Sequence, residues 1–494
     1  MLSVVMQTLD TTIANVALPH MQGSMSATQD QIAWVLTSYI VASAIAMPAT
    51  GFLAARFGRM QLMLASIAGF TIASMLCGAS TNLEEIVFFR IVQGVCGASF
   101  IPISQSILLD SYPLEQRGRV IAMWSMGVMI GPILGPALGG WLTESYSWRW
   151  VFYINVPFGI LAFFGMWLGA PKTLLDKTRK FDWIGFAFLS IAIGSLQLML
   201  DRGNGEDWFS STEIILETAL AAMALYLYIA HTFTTKEHPF VEPRLFKDQT
   251  FLIGIGVSFI VGLILYATMA LLPPYLQGLM GYPVVTTGLV TAPRGFGSML
   301  SMMICGRLIG RIDQRLLIAF GVGLTAWSLW EMSRFNLYMD ESLIIWTGII
   351  QGFGLGFVFV PVNTLTFATL APALRGDGTS FYNLIRNIGS SIGISLSVAM
   401  VARMTQANHS ILTEHISPLN PLLRPGATEG WQLKSAQALA MIDAEITRQA
   451  AAIAYVNDFK IMMYLSLLVL PMLLLVKIPA APRDAPKETS PVMD

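Results

Sequence analysis

Residues 249–293 read QTFLIGIGVSFIVGLILYATMALLPPYLQGLMGYPVVTTGLVTAP and contain no Asp, Glu, Lys or Arg. A helix that crosses a bilayer needs about 20 mostly apolar residues, so the stretch is long enough for two. Pro273-Pro274 and Gly281-Tyr282-Pro283 break it, since proline removes a helical donor and clashes with the preceding turn. Runs of the same character recur along the chain. They predict fourteen spans, at about 2–19, 34–55, 62–79, 86–109, 120–142, 150–170, 183–200, 214–233, 250–275, 286–306, 316–334, 343–370, 379–402 and 461–478.

Composition supports an all-α integral membrane protein. Charged residues make up 12% of the 494 positions and hydrophobic ones 54%, against about 25% charged in ordinary soluble domains. The net charge of −1 offers nothing to nucleic acid. Cys77, Cys96 and Cys305 each sit in apolar runs and read as packing residues. The five histidines are scattered, so no metal site is expected. No nucleophile–base pair and no phosphate loop occurs, which disfavours an enzyme or an ATP-driven pump.

Cytoplasmic loops carry an excess of Lys and Arg. With both termini in the cytoplasm, the inside loops and the tail hold eighteen basic residues, including Arg56, Arg59, Arg117, Arg119, Arg307, Arg311, Arg315 and Arg375. The short outside loops hold three: Arg149, Arg202 and Arg334. Segment 403–460 then lies outside; its residues Leu439, Ile442, Ile446, Ile453 and Val456 fall at helical spacing. Span 1 begins at Met1 without a basic flank, so a start upstream is expected.

The chain repeats itself. Gly51-Phe-Leu-Ala-Ala-Arg56 matches Gly306-Arg-Leu-Ile-Gly-Arg311 at an offset of 255. Gln93-Gly94 before Pro102 matches Gln351-Gly352 before Pro361, and Arg117-Gly118 matches Arg375-Gly376, both at 258. Spans 1–6 therefore correspond to spans 9–14, with spans 7 and 8 inserted. The expected domains are a six-helix bundle over 1–170, a two-helix insert over 171–249, a second six-helix bundle over 250–478 and a tail over 479–494. Parallel six-span repeats are a transporter architecture, with the substrate site between them.

Several motifs lie within this frame. Span 1 reads Leu9-Asp10-Thr-Thr-Ile-Ala-Asn15-Val-Ala-Leu-Pro19. A carboxylate at membrane depth persists if it pairs with a cation or takes a proton; the competing reading is a carboxylate that snorkels to water. Span 4 reads Arg90-Ile-Val-Gln93-Gly94-Val-Cys-Gly97, and its arginine stays charged. The loop after span 2 reads Gly51-Phe-Leu-Ala-Ala-Arg56-Phe-Gly58-Arg59; Gly58 permits a tight turn. Span 5 carries Gly127, Gly131, Gly135 and Gly139 at four-residue spacing on one helix face, with Pro132, Pro136 and Gly140. Small residues so placed make a groove for close helix packing. Span 6 opens with Trp148-Arg149-Trp150-Val-Phe-Tyr-Ile-Asn155, read as structural. Arg294 in span 10 and Asn383, Arg386 and Asn387 in span 13 are polar groups at membrane depth that should face a cavity.

Together these motifs resemble the major facilitator superfamily, in its fourteen-helix drug:proton antiporter branch of the EmrB/QacA type, over nearly the whole chain. The resemblance implies two six-helix bundles plus a two-helix insert in a bacterial inner membrane. It implies export of hydrophobic or amphipathic toxic compounds by alternating access, with the proton gradient as energy source and no cofactor. Asp10 and Arg90 would couple protons. Asn15, Gln93, Arg294, Asn383, Arg386 and Asn387 would line the substrate cavity, the arginines attracting anionic or weak-acid substrates. Gly51, Arg56, Gly58 and Arg59 would form the cytoplasmic gate loop, and the span-5 glycines and prolines the antiporter motif. The loop departs from the family pattern at Ala55, where an acid is usual; Asp110 or Glu115 are candidate substitutes. Expected partners are membrane lipid, small hydrophobic substrates, and a periplasmic membrane-fusion adaptor of the EmrA type leading to an outer-membrane channel. Two rival readings stay open: an exporter of one metabolite or siderophore, and a membrane sensor with the same fold.

Overall fold

The computed structural model describes residues 1–169, 181–235, 239–371, 374–416 and 436–476. Within them the helices form fourteen rods. The first six are α1 (Leu2–Met25), α2 (Gln29–Ala46 and Ala49–Phe57), α3 (Arg59–Ala79), α4 (Leu83–Gly97 and Phe100–Ser111), α5 (Leu114–Ser145) and α6 (Trp150–Tyr153 and Asn155–Gly169). The insert supplies α7 (Trp183–Arg202) and α8 (Thr212–Thr234). The last six are α9 (Gln249–Pro274), α10 (Val284–Thr291 and Pro293–Leu308), α11 (Gln314–Met332), α12 (Glu341–Thr366), α13 (Arg375–Thr413) and α14 (Ala436–Leu467 and Val469–Leu474). Ten helices, or eleven with the bent pair of α2, are long and apolar enough to cross a membrane. The other three rods, α1, α10 and α11, are shorter or more polar and pack among them.

Short polar side chains start many of the rods where they meet water. Thr28 and Gln31 form a reciprocal capping box at α2. Asn82, Asp182, Asp248, Asp313 and Asp340 cap α4, α7, α9, α11 and α12 by accepting from first-turn N–H groups. Each such cap satisfies a donor that the helix leaves orphaned.

Helix pairing repeats between the two bundles. In the first, α1 packs on α5, α2 on α4, and α3 on α4 and α6. In the second, α9 packs on α13, α10 on α12, and α11 on α12 and α14. The close contacts repeat as well. A Cβ built on Gly131 or Gly135 would collide with Thr8 or Thr12 of α1. One on Gly389 or Gly393, at the offset of 258, would collide with Phe259 or Leu263 of α9. Lipid gives no hydrophobic force between helices, so such backbone approach is how they hold. Thr12 Oγ1 adds an interhelical hydrogen bond to the Gly131 carbonyl at 3.0 Å.

Three sequence expectations are corrected. Span 2 is not one rod: it bends by 58° between Gln31–Ala46 and Ala49–Phe57, at Met47-Pro48. The break in the uncharged stretch lies at Gly281 (φ 73°) and not at Pro273-Pro274. The helix runs through both prolines into a π turn, Tyr275–Leu279. Span 13 does not end at 402 and span 14 does not begin at 461: their helices run on into segment 403–460, to Thr413 and from Ala436. α13, with 39 residues, is about 58 Å long at 1.5 Å per residue, nearly twice the hydrocarbon thickness. It continues past the predicted end of span 13 alongside the first turns of α14. His409 and Asp443 meet at 3.0 Å, and Asn408 donates to the Ala450 carbonyl at 3.2 Å. On this projection Ile442 is buried while Leu439 and Ile453 are exposed.

The two bundles meet at the end that carries the basic loops. Direct hydrogen bonds and an ion pair join Met47, Thr50, Gln105 and Asp110 on one side to Asn363, Arg375, Ser380, Asn383 and Asn387 on the other. At the opposite end the insert helix α7 touches both. Thr37 of α2 bonds Asp201, and Ser395 of α13 donates to the Leu200 carbonyl at 2.5 Å.

Candidate coupling site and gate

Asp10 lies on the buried face of α1, three residues before Ile13 on the side turned to α2, α4 and α6. Asp10, Arg90 and Gln93 have no exposed surface. Arg90 Nη1 donates to Asp10 Oδ2 at 2.6 Å and to Gln93 Oε1 at 2.9 Å, and its Nε donates to the Val35 carbonyl at 2.9 Å. The other carboxylate oxygen, Oδ1, accepts from Gln93 Nε2 at 2.9 Å and from Asn155 Nδ2 at 2.8 Å. Asn155 is steered by a second bond to Ser74 Oγ at 3.0 Å, and Ser74 in turn donates to the Phe152 carbonyl. The guanidinium stacks 4.3 Å from the Tyr39 ring centroid. Five of the bundle's helices thus contribute to one charge pair. Breaking a buried pair by removing one partner costs about 3–5 kcal/mol, because it strands the other charge.

The arrangement offers Asp10 three N–H donors. A proton on the carboxylate would remove the charge that holds Arg90, and so would weaken the contact between α1 and α4. α1 rests on the glycine face of α5, and another face of α5 meets the second bundle. A Cβ on Gly295 of α10 would lie 2.2 Å from Ile133, and one on Gly306 would lie 2.7 Å from Ala122.

The span-5 glycines are not equivalent. Built Cβ atoms would lie 2.3 Å from Thr8 at Gly131, 2.0 Å from Thr12 at Gly135 and 3.1 Å from Ile13 at Gly139. At Gly127 the nearest atom is 3.5 Å away, an ordinary contact, and at Gly140 nothing lies within 4 Å. Pro132 and Pro136 fall on the same continuous helix; their side chains lie outside the described structure.

The candidate gate is built with the same symmetry. Gly51 of α2 abuts Asp377 of α13, and its repeat partner Gly306 of α10 abuts Ala122 and Arg119 of α5. Each gate glycine therefore lets the other bundle's gate helix approach. Gly58 ends the second segment of α2 at φ 92°, which glycine alone adopts without strain. Of the two candidate acids, Asp110 pairs with Arg59 and also accepts from Arg375 Nη1 of the second bundle at 2.7 Å, and the side chain of Glu115 lies outside the described structure. Arg56 is engaged as well. Above this ion cluster, Thr50 and Ser380 hydroxyls meet at 2.8 Å. Deeper still, Gln105 Nε2 donates to Asn363 Oδ1 at 2.8 Å and Asn383 Nδ2 donates to Gln105 Oε1 at 2.9 Å. All three amides are fully buried.

The six residues expected to line a cavity separate in the structure. Gln93 joins the Asp10 cluster, and Asn383 joins the amide clasp. Asn387 Nδ2 contacts Met47 Sδ of the first bundle at 3.9 Å. Asn15 is exposed on α1. Arg294 is half-buried, with Nη2 3.4 Å from the Leu265 carbonyl. Arg386 is buried against Phe359, with Nη1 unpartnered. Two functional-looking groups escaped the sequence reading. Asn155 was read as structural, and nothing in its local sequence signals contact with Asp10. Gln105 and Asn363 were legible in principle, because they stand 258 apart, at the repeat offset.

The sequence profile of the Major Facilitator Superfamily matches residues 1–394. The chain belongs to that superfamily. It is 38% identical over 458 residues to Multidrug export protein EmrB of Escherichia coli K12, covering 92% of this chain and 89% of that one. It is 36% identical over 482 residues to Fatty acid resistance protein FarB of Neisseria gonorrhoeae, covering 97% and 95%. Among solved structures, the proton:xylose symporter XylE superposes with a TM-score of 0.61 over 95% of this chain and 92% of that one, at 13% identity, which speaks to the fold alone. The protein is thus a multi-pass membrane transporter of the superfamily, built as two six-helix bundles with a two-helix insert.

Proposed function

We propose that this transporter is a proton-coupled multidrug efflux antiporter of a bacterial inner membrane, exporting hydrophobic or amphipathic toxic compounds by alternating access. The observation that carries the coupling is the buried Asp10–Arg90 pair with its two amide donors, since a carboxylate at that depth whose partner can be displaced is a proton carrier. The names of its relatives EmrB and FarB, a multidrug export protein and a fatty acid resistance protein, support the cargo class. With the basic end cytoplasmic, the sealed gate faces inward, so this conformation belongs to the outward-facing part of the cycle. Both termini are then cytoplasmic, and the proton gradient is the energy source, without a cofactor. The α13–α14 projection stands on the outer face, where a periplasmic membrane-fusion adaptor would continue the path to an outer-membrane channel.

A narrower reading of the cargo rests on Arg386. A buried guanidinium stays charged and, among the described residues, has no acidic partner within ion-pair distance. An anionic group on the substrate would neutralise it, with Arg294 as a second cation. The test is expression in an efflux-deficient bacterial strain, scored on a toxic-compound panel with and without a co-expressed adaptor. Resistance that collapses on adding a protonophore supports the reading; an unaltered panel counts against it.

A further inference from the structure

Four acidic or basic side chains (Asp, Glu, Lys or Arg) of the membrane interior are buried below 5% exposure among the described residues: Asp10 and Arg90 at 0%, Asp458 at 3% and Arg386 at 4%. Asp10 and Arg90 neutralise each other. Asp458 and Arg386 do not. Ser397 of α13 lies against the Asp458 carboxyl, and it is eleven positions from Arg386 on the same helix, about 16 Å along the axis. Asp458 Oδ2 has no hydrogen-bond partner.

Among the described residues, Asp458 makes no ion pair. α14 packs against α13, α11 and α9. On α13 the nearest cation toward the outer end is Arg403, which is exposed. At the end of α11 stand half-buried Glu331 and exposed Arg334, and α9 carries no charge. Lys460 on α14 itself is exposed. None of these makes an ion pair with Asp458 among the described residues. Neighbouring contacts fix its depth. Tyr455 meets Tyr275 at 5.4 Å and Phe459 meets Phe335 at 6.1 Å, both at the outer ends of their helices. Met462 meets Thr268, two turns deeper on α9. Asp458 therefore sits just beneath the outer end of the second bundle.

A carboxylate so placed, without a cation or donor set, is strongly disfavoured in its charged form. Asp10 shows what this protein provides when a buried carboxylate is to stay ionised: three donors, one of them a guanidinium. Asp458 has one hydroxyl neighbour. We propose that Asp458 is a second proton-binding carboxyl, carrying its proton while the basic end is sealed. A proton from the outer aqueous side joins one carboxylate oxygen, and the O–H so formed donates to the Ser397 hydroxyl; no other bond is made or broken. Each bundle then has its own proton site. Only the role of this site in transport rests on the proton-coupled reading; its occupancy does not.

The experiment is infrared difference spectroscopy of the full chain in phosphatidylethanolamine–phosphatidylglycerol nanodiscs, stepped in pH around neutrality. The gate is cross-linked as T50C/S380C to hold this conformation. The wild-type sequence should show the carbonyl stretch of a buried protonated carboxyl at neutral pH. D458N should lose that band, D458E should shift it, and D10N should keep it. A band unchanged in D458N and unmoved in D458E overturns the proposal. A band lost in D10N and kept in D458N also overturns it and assigns the proton to Asp10, which leaves the antiport reading standing.

Discussion

Alanine at Gly131 should damage this transporter far more than alanine at Gly140, nine residues along the same helix. A Cβ at Gly131 would lie 2.3 Å from the Thr8 carbonyl carbon, against 3.4 Å for the shortest ordinary contact. The obstacle is backbone, so no rotamer change relieves it, and α1 must retreat by about 1 Å. Overpacking of this kind costs about 1–3 kcal/mol. Asp10 is two positions from Thr8 and would be carried along. Asp10 lies on the opposite face of α1 from Thr8, so the retreat would press it against Arg90, already 2.6 Å away and under the ~2.7 Å lower end of a good N–H···O bond, and the pair would have to rearrange. G131A should therefore melt earlier in nanodiscs and lose most efflux at matched expression. G140A meets nothing within 4 Å, and should stay within about 0.5 kcal/mol of the parent. Equal behaviour of the two variants, in either direction, would refute the argument that α1 is seated by the glycine face.

Other expectations follow from the gate and the arginines. Q105A removes both bonds of the amide clasp, each worth about 0.6 kcal/mol and at most ~1.7 within a membrane. A cysteine at buried Ala122 should then react severalfold faster with a water-soluble maleimide, and an unchanged rate would deny the clasp a gating role. D110N strips Arg59 and Arg375 of their shared acid; efflux should fall, and adding A55D should restore part of it, whereas a double variant no better than D110N would count against Asp110 as the substitute acid. R386Q should weaken binding of dodecanoate about tenfold or more, the scale of one hydrogen bond to a charged group, while sparing dodecyltrimethylammonium. Equal losses for the two amphiphiles would mean that Arg386 is structural.

What could be read from sequence was set by how local the signal is. An uncharged run long enough to span needs no tertiary knowledge, so the rods were legible, as was their duplication through Gly51, Gln93 and Arg117. Boundaries failed where apolar character and helix length part company. Pro273 and Pro274 fall late enough in α9 for a π turn to absorb them, and α13 outlasts its apolar stretch because α14 packs beside it. Asp10 and Arg90 announced themselves because charge at membrane depth is costly. Their supporting amides did not: Asn155 is polar but uncharged and lies at a helix start, where asparagine is common. The clasp of Gln105, Asn363 and Asn383 depends on how two bundles meet, which no single span records.

The central claim is that displacing Arg90 from Asp10 by a proton drives the cycle. The most direct measurement compares D10N with the parent in inverted membrane vesicles energised by respiration, using a compound to which the parent confers resistance. D10N should lose uphill, gradient-driven accumulation yet keep exchange of labelled for unlabelled compound down its own gradient, because the path remains and only the coupling is gone. Uphill accumulation by D10N at the parental level would contradict the account.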